Sequence, residues 1–135
     1  MKNIEKLKIS HIALIVTDLD KARGFYTKIL NLEEIERPRF YIQGLWYSIG
    51  DFELHLMLSE GASLPHVHPL NETVQPHFAM AMTETEFVSM VKRIQSAKVE
   101  VIGDVEVNPA GVKQFFFYDP DRNMLEINNE LGQNS

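Results

Sequence analysis

The chain contains no cysteine, which excludes disulfides, thiolate metal sites and a cysteine nucleophile. A missing disulfide framework fits the cytosol. Basic residues are also scarce: 13 Lys and Arg stand against 19 Asp and Glu, a formal net charge of -6. Such an acidic surface repels phosphate backbones, so nucleic acid is not an expected partner. Nor is there a long hydrophobic run. The apolar stretch 12–16 falls far below the roughly 20 residues of a membrane span, and it lacks the small-residue cleavage site of a secretory signal. A soluble, cytoplasmic protein with no membrane contact is the expectation. What is present is 44% hydrophobic residues over 135 positions, enough for one compact domain with a real core, and an ordinary 24% of charged residues.

The chain also repeats itself. His11-Ile12-Ala13-Leu14-Ile15-Val16-Thr17-Asp18 matches His77-Phe78-Ala79-Met80-Ala81-Met82-Thr83-Glu84: histidine, apolar, alanine, three apolar residues, threonine, acid. Each copy reads as a buried strand entering a helix. Thr83 and Glu86 have the spacing of a capping box, and Thr17 and Asp20 offer cap-type oxygens. Helical stripes follow, at Ala22, Phe25, Tyr26, Ile29 and Leu30 and at Phe87, Met90, Val91 and Ile94. They fade at Asn31 and Lys98. Three extended runs then close each half, near 33–37, 40–49 and 52–58 and near 99–107, 112–118 and 123–128, with turns at Gly50-Asp51, 108–111 and 119–123. Each half is therefore expected to be βαβββ. The last strands match as well, Leu54-His55-Leu56 against Leu125-Glu126-Ile127. His77 follows His11 by 66 residues and Glu126 follows His55 by 71, so four polar positions shift together by about one module.

Taken singly, His11 or His77 reads as a half-buried, satisfied histidine. Glu126, bracketed by Leu125 and Ile127, would be costly without a cation nearby; the plain alternative is an edge-strand carboxylate facing water. Strand alternation places Glu53, His55 and Met57 on one face, so Glu53 competes with His55 for any role in a cavity. His66 and His68 lie between prolines in the segment joining the halves and read first as exposed loop residues. Arg37 and Arg39 flank Pro38 and could grip an anion, although a solvated loop is the plainer reading. Trp46, Tyr47, Phe115 and Phe117 are candidate cavity walls, or simply core. The polar tail from Asn129 is expected to fray.

Over residues 8–129 these features resemble the vicinal oxygen chelate superfamily, which includes glyoxalases, fosfomycin resistance proteins and extradiol dioxygenases. The resemblance is carried by His11-Ile-Ala, by Phe25-Tyr26-Thr27-Lys28-Ile29-Leu30, by His77-Phe-Ala and by the ending Phe117-Tyr118-Asp119-Pro120-Asp121-Arg122-Asn123-Met124-Leu125-Glu126. The ending departs from the family's Asp-Pro-Asp-Gly-Asn at Arg122, where left-handed torsion comes at a cost. The resemblance implies an α+β fold: a single domain of two βαβββ modules, 8–59 and 76–129, joined by the loop 60–75 and curved into an incomplete barrel around a metal cavity. It implies one divalent ion per site (Ni, Zn, Fe or Mn) on His11, His55, His77 and Glu126, with Glu126 or Glu53 as catalytic base. It also implies a homodimer whose sites combine modules of both chains, acting on a small-molecule substrate.

For the reaction, the resemblance puts glyoxalase I-type isomerisation of a thiol–aldehyde adduct first, lactoylglutathione lyase-like, through an enediolate held at the metal. Ile15 stands where glutathione-using members place a cation. Fosfomycin-type addition of a thiol or water is the alternative; it calls for a cluster of cations, and Ile127-Asn128-Asn129 lacks one. Ring-cleavage dioxygenation is disfavoured by Phe116 at the place of a tyrosine and by the absence of histidine from 108–114. A metal-free, bleomycin-resistance-like binding protein is the reading from another class; the full ligand set argues for an enzyme instead.

Overall fold

Strand β1 (His11–Val16) leads into helix α1 (Leu19–Arg23), which continues as a π-helical turn over Gly24–Ile29 and is followed by β2 (Glu33–Ile35), β3 (Gly44–Ile49) and β4 (Phe52–Leu58). The second half repeats the order with β5 (His77–Ala81), α2 (Glu84–Ser96), β6 (Val101–Val107), β7 (Lys113–Tyr118) and β8 (Met124–Asn128). The structure, a computed structural model, describes residues 7–59 and 75–132. The chain divides into two compact units, residues 1–62 and 63–135. Each unit carries one open four-stranded sheet, β1-β4-β3-β2 in the first and β5-β8-β7-β6 in the second. The expected α+β class, with βαβββ in each half, is what forms.

The first and last strands of each unit lie side by side and parallel, β1 on β4 and β5 on β8, while the remaining pairs are antiparallel. A parallel pair needs a long crossover, and the helix after the first strand supplies part of it. The repeat extends to register in the strands around β4 and β8. Ala13 pairs with His55 and Ala79 with Glu126 across the parallel strands. On the other side His55 pairs with Trp46 and Glu126 with Phe116. His55 and Glu126 are thus equivalent positions of the two modules.

Period-two alternation separates the faces. Leu54 and Leu56, with Leu45 and Tyr47, are buried in the first unit; Leu125, Ile127, Phe115 and Phe117 are fully buried in the second. Helix α2 buries Phe87, Val91 and Ile94 at helical spacing. Thr83 caps it, accepting from the Glu86 amide at 3.3 Å and donating its hydroxyl to Glu86 Oε1 at 3.1 Å. In the first unit the cap is Asp18, whose carboxylate accepts from the Lys21 amide at 3.0 Å, and not Thr17.

Several expectations are corrected. The first helix does not stay α-helical: the Leu30 amide reaches back five residues to Phe25 O at 3.0 Å. The wider turn accommodates two adjacent aromatics, Phe25 and Tyr26, both buried, and Thr27 within hydrogen-bond reach of the Tyr47 hydroxyl at 2.8 Å. The run 40–49 is a strand only from Gly44, and 33–37 only to Ile35. The tail is tied down as far as Gly132. Asn129 accepts from the Lys113 amide and donates to Glu84, and Gly132 O accepts from the Glu84 amide. Hydrogen bonds from Lys113 and Asn129 hold the Glu84 carboxyl below its usual value. Most of the joining segment, with His66 and His68, lies outside the described residues.

The closing turn is organised by Asp119, whose carboxylate accepts from the Asp121 and Asn123 amides at 2.9 and 2.8 Å and from the Asn123 side chain at 2.9 Å. Arg122 adopts the left-handed torsion expected of glycine, φ 62°. Its guanidinium donates to both Glu100 oxygens, at 2.8 and 3.1 Å, and lies 4.5 Å from the Tyr118 ring centroid. These contacts oppose the torsional cost, which accounts for the departure at this position.

Gly44 is required for a different reason. A Cβ there would lie 2.1 Å from the Leu56 carbonyl oxygen and 3.3 Å from the Arg37 guanidinium carbon. The near neighbour is backbone on the adjacent strand and cannot swing aside. Gly44→Ala is expected to cost about 1–3 kcal/mol through overpacking, measured by urea denaturation against wild type. Unchanged stability would show that β3 shifts freely.

Candidate metal centre

Two pairs of the expected ligands come together, each pair within its own unit. In the second unit, His77 opens β5 and Glu126 sits at the middle of β8, which is an interior strand and not an edge. Glu126 is only 5% exposed, so the edge-strand reading fails. Its Oε1 lies 3.1 Å from His77 Nε2, and its Oε2 accepts from Gln114 Nε2 and Asn128 Nδ2, each at 3.1 Å.

His77 Nδ1 lies 2.8 Å from Gln75 O. A carbonyl only accepts, so Nδ1 carries the ring proton and a neutral His77 presents the Nε2 lone pair to the Glu126 carboxylate. Two acceptors facing one another repel unless a proton or a cation lies between them. Anchoring Nδ1–H on a backbone carbonyl is how metal-ligating histidines are oriented. Two ligands each about 2.1 Å from one ion, at right angles, stand about 3 Å apart. The His77–Glu126 pair therefore fits a divalent cation, on the geometry and chemistry of its own donors.

In the first unit, His11 and His55 stack face to face, ring centroids 4.1 Å apart and planes 13° apart. Trp46 covers the other face of His55 at 3.9 Å and 3°. His55 Nε2 is 2.9 Å from Glu53 Oε1, which leaves Nδ1 as the nitrogen free of that bond. His11 Nδ1 is 3.1 Å from the Ser10 hydroxyl oxygen. Glu53 is paired in register with His11, and its carboxylate is the partner of His55. Among the described residues, no group of three or more potential ligands assembles; the pairs are what each unit provides.

Beside the His11–His55 pair lies a cavity of about 310 Å³, walled by Trp46, Phe40, Met57 and Arg37 as well as the two histidines. Of the aromatic candidates, Trp46 lines this cavity, whereas Tyr47, Phe115 and Phe117 are core, each 0% exposed. Phe116 sets its edge against the His77 ring, centroids 5.6 Å apart. Arg37 is not a solvated loop residue: it lines the cavity, its guanidinium lies 5.1 Å from the Phe40 ring centroid and donates to Ile42 O. Arg39 is exposed.

Sequence reasoning missed Gln75, Gln114 and Asn128, which orient His77 and Glu126. Gln75 and Asn128, each two residues from a ligand, carry no pattern of their own; Gln114 is legible only once it is paired in register with Asn128.

The chain matches the family model of the glyoxalase/bleomycin resistance protein/dioxygenase superfamily over residues 8–127. It is 29% identical over 130 residues to fosfomycin resistance protein FosX of Listeria monocytogenes, covering 88% of this chain and 86% of that protein. It is 29% identical over 119 residues to glutathione transferase FosA of Serratia marcescens, covering 88% and 78%. A crystal structure of a variant of that Listeria FosX, complexed with Mn(II) and 1S,2S-dihydroxypropylphosphonic acid, matches with a TM-score of 0.71 and 28% identity, over 93% of this chain and 92% of that one. A glyoxalase/dioxygenase structure from Nostoc punctiforme matches with a TM-score of 0.80 at 23% identity, over 100% and 97% of the two chains, and shares the fold. Among the described residues, no helix is long and apolar enough to cross a membrane.

Proposed function

Because the chain belongs to the glyoxalase/bleomycin resistance protein/dioxygenase superfamily, we propose that it is a divalent-metal-dependent enzyme acting on a small, oxygen-rich substrate. The observation that carries this reading is the Glu126 carboxylate facing His77 Nε2 at 3.1 Å, with every other polar atom of the pair engaged. The ligand set is His11, His55, His77 and Glu126, and the modules 8–59 and 76–129 act as one domain. Holding the ligands as two pairs suits a homodimer in which each centre combines modules of both protomers. When bound, the ion supplies Lewis acidity, drawing electron density from a carbon–oxygen bond of the substrate.

The side chains divide the remaining work. Glu126 is occupied on both oxygens and serves as a ligand. Glu53, its carboxylate 41% exposed and bonded to His55, is the group placed to take a proton from an attacking water or thiol. Trp46 and Phe40 exclude water from one wall of the cavity. Fosfomycin-type addition of water or a thiol is the reaction best supported, because the similar proteins are a fosfomycin resistance protein, FosX, and a glutathione transferase, FosA. The same base and metal would serve a glyoxalase-type isomerisation, with Glu53 moving the proton beside the carbonyl, and this is the second reading.

The test is metal analysis followed by turnover. Protein purified from metal-supplemented medium is expected to hold close to one Mn, Ni, Zn or Fe per chain, and the loaded enzyme to consume fosfomycin with water or glutathione in a manner abolished by EDTA. Turnover of the methylglyoxal–thiol adduct alone would select the second reading. Protein that takes up no divalent ion would sink the metalloenzyme proposal.

A further inference from the structure

We propose that Arg37 is the receptor for a compact oxyanion, a phosphonate or carboxylate, carried by the substrate into the cavity beside His11 and His55. This deepens the proposed function and rests on it for the identity of the substrate, though not for the binding itself.

Of the described residues that wall the cavity, Arg37 alone carries a permanent charge; its neighbours there are mostly Trp46, Phe40, Met57 and other apolar groups. A cation in such a setting is normally matched by a carboxylate. Arg23, Lys113 and Arg122 all have one, at 3.0, 2.9 and 2.8 Å. Among the described residues Arg37 has none, and its Nε is enclosed with no hydrogen-bond partner. The Ile42 carbonyl accepts one of the five N–H donors, which leaves the charge without a counter-charge among the described residues.

The same contacts hold the guanidinium in place. Phe40 packs against it, Ile42 O fixes one end, and Gly44, lacking a Cβ, gives it room 3.3 Å from where that carbon would be. Register makes the contrast between the modules explicit. Gln114 pairs with Asn128 as Gly44 pairs with Met57. In the second unit that position reaches the equivalent of His55, namely Glu126, with an amide; in the first it is emptied of side chain and the Arg37 guanidinium lies beside it. A held, partly desolvated guanidinium with no carboxylate partner among the described residues offers charge-assisted and bidentate hydrogen bonds to an oxyanion at little ordering cost.

The chain has a single tryptophan, and it is Trp46, in this cavity. Its fluorescence therefore reports occupancy without any need for turnover. Methylphosphonate, acetate and the neutral ester dimethyl methylphosphonate are titrated into the full-length protein, with EDTA and with Mn²⁺, for wild type, Arg37→Met and Arg37→Lys. Circular dichroism checks that the variants fold. The expected result is saturable quenching or enhancement by methylphosphonate, acetate or both, none by the ester, an affinity at least 30-fold weaker in Arg37→Met and partial recovery in Arg37→Lys. Whichever acid binds more tightly identifies the anion class. Equal affinity in wild type and Arg37→Met overturns the proposal, as does the absence of saturation with either acid. Mn²⁺ uptake, measured on the same samples, reads the metal centre separately. Loss of anion binding with metal uptake intact is a failure of Arg37 alone, and anion binding without metal uptake is a failure of the metalloenzyme reading alone.

Discussion

Glu126→Gln is expected to lower the affinity for Mn²⁺ or Zn²⁺ by at least about 100-fold, as loss of a direct ligand should exceed the 10–100-fold typical of an outer-shell partner. The amide keeps the shape of the side chain but removes the negative charge. It also turns one oxygen into a donor, facing either His77 or the donating amides of Gln114 and Asn128. His77→Ala should act in the same direction by removing the facing nitrogen. Wild-type protein in metal at 100 times its Kd gains about 2.7 kcal/mol of stability by mass action, and Glu126→Gln should gain no more than about 0.4 kcal/mol at the same concentration. Equilibrium dialysis measures the affinity and a thermal melt the linkage. A Glu126→Gln protein that folds and binds metal as tightly as wild type would remove Glu126 from the ligand set.

Phe117→Ala is expected to destabilise the protein by about 3–5 kcal/mol, the range for truncating a buried aromatic. Phe117 is 0% exposed, pairs in register with Leu125 and has its ring centroid 6.2 Å from that of Phe115. It also belongs to the strand that carries Gln114 toward Glu126, so a cavity left here loosens the support of the metal pair. Val107→Ala, at a position 64% exposed, should stay within about 0.5 kcal/mol and serves as the control. Urea denaturation of the metal-free proteins separates the two effects. A loss below 1 kcal/mol for Phe117→Ala would mean that this layer is not the core of the second unit.

The fold was largely legible because the repeat is written in residue types that alternation and helical spacing make visible. His-x-Ala, the cap at Thr83 and the aliphatic brackets around His55 and Glu126 each have a local physical cause. Asn31 and Lys98, where the helical stripes fade, both take left-handed torsion at φ 59°. The π-turn was not legible, since Phe25, Tyr26, Ile29 and Leu30 satisfy an α-helical stripe equally well. Only the need to bury both adjacent rings distinguishes the two. The start of β3 was overrun because Phe40-Tyr41-Ile42 is strand-like in composition, yet the ladder with β4 begins only at Gly44, paired with Met57.

By itself, the sequence determined that four polar positions recur in two modules and that Glu126 lies within an apolar strand. Periodicity and local propensity act between near neighbours along the chain, and those are what determine such features. Tertiary structure alone decided which way each side chain is answered: Glu126 by His77, Gln114 and Asn128, His55 by Glu53 and Trp46, and Arg37 by no carboxylate among the described residues. Register across β-strands brings together residues far apart in the chain, and whether a charge finds its counter-charge depends on that register and not on its sequence neighbours.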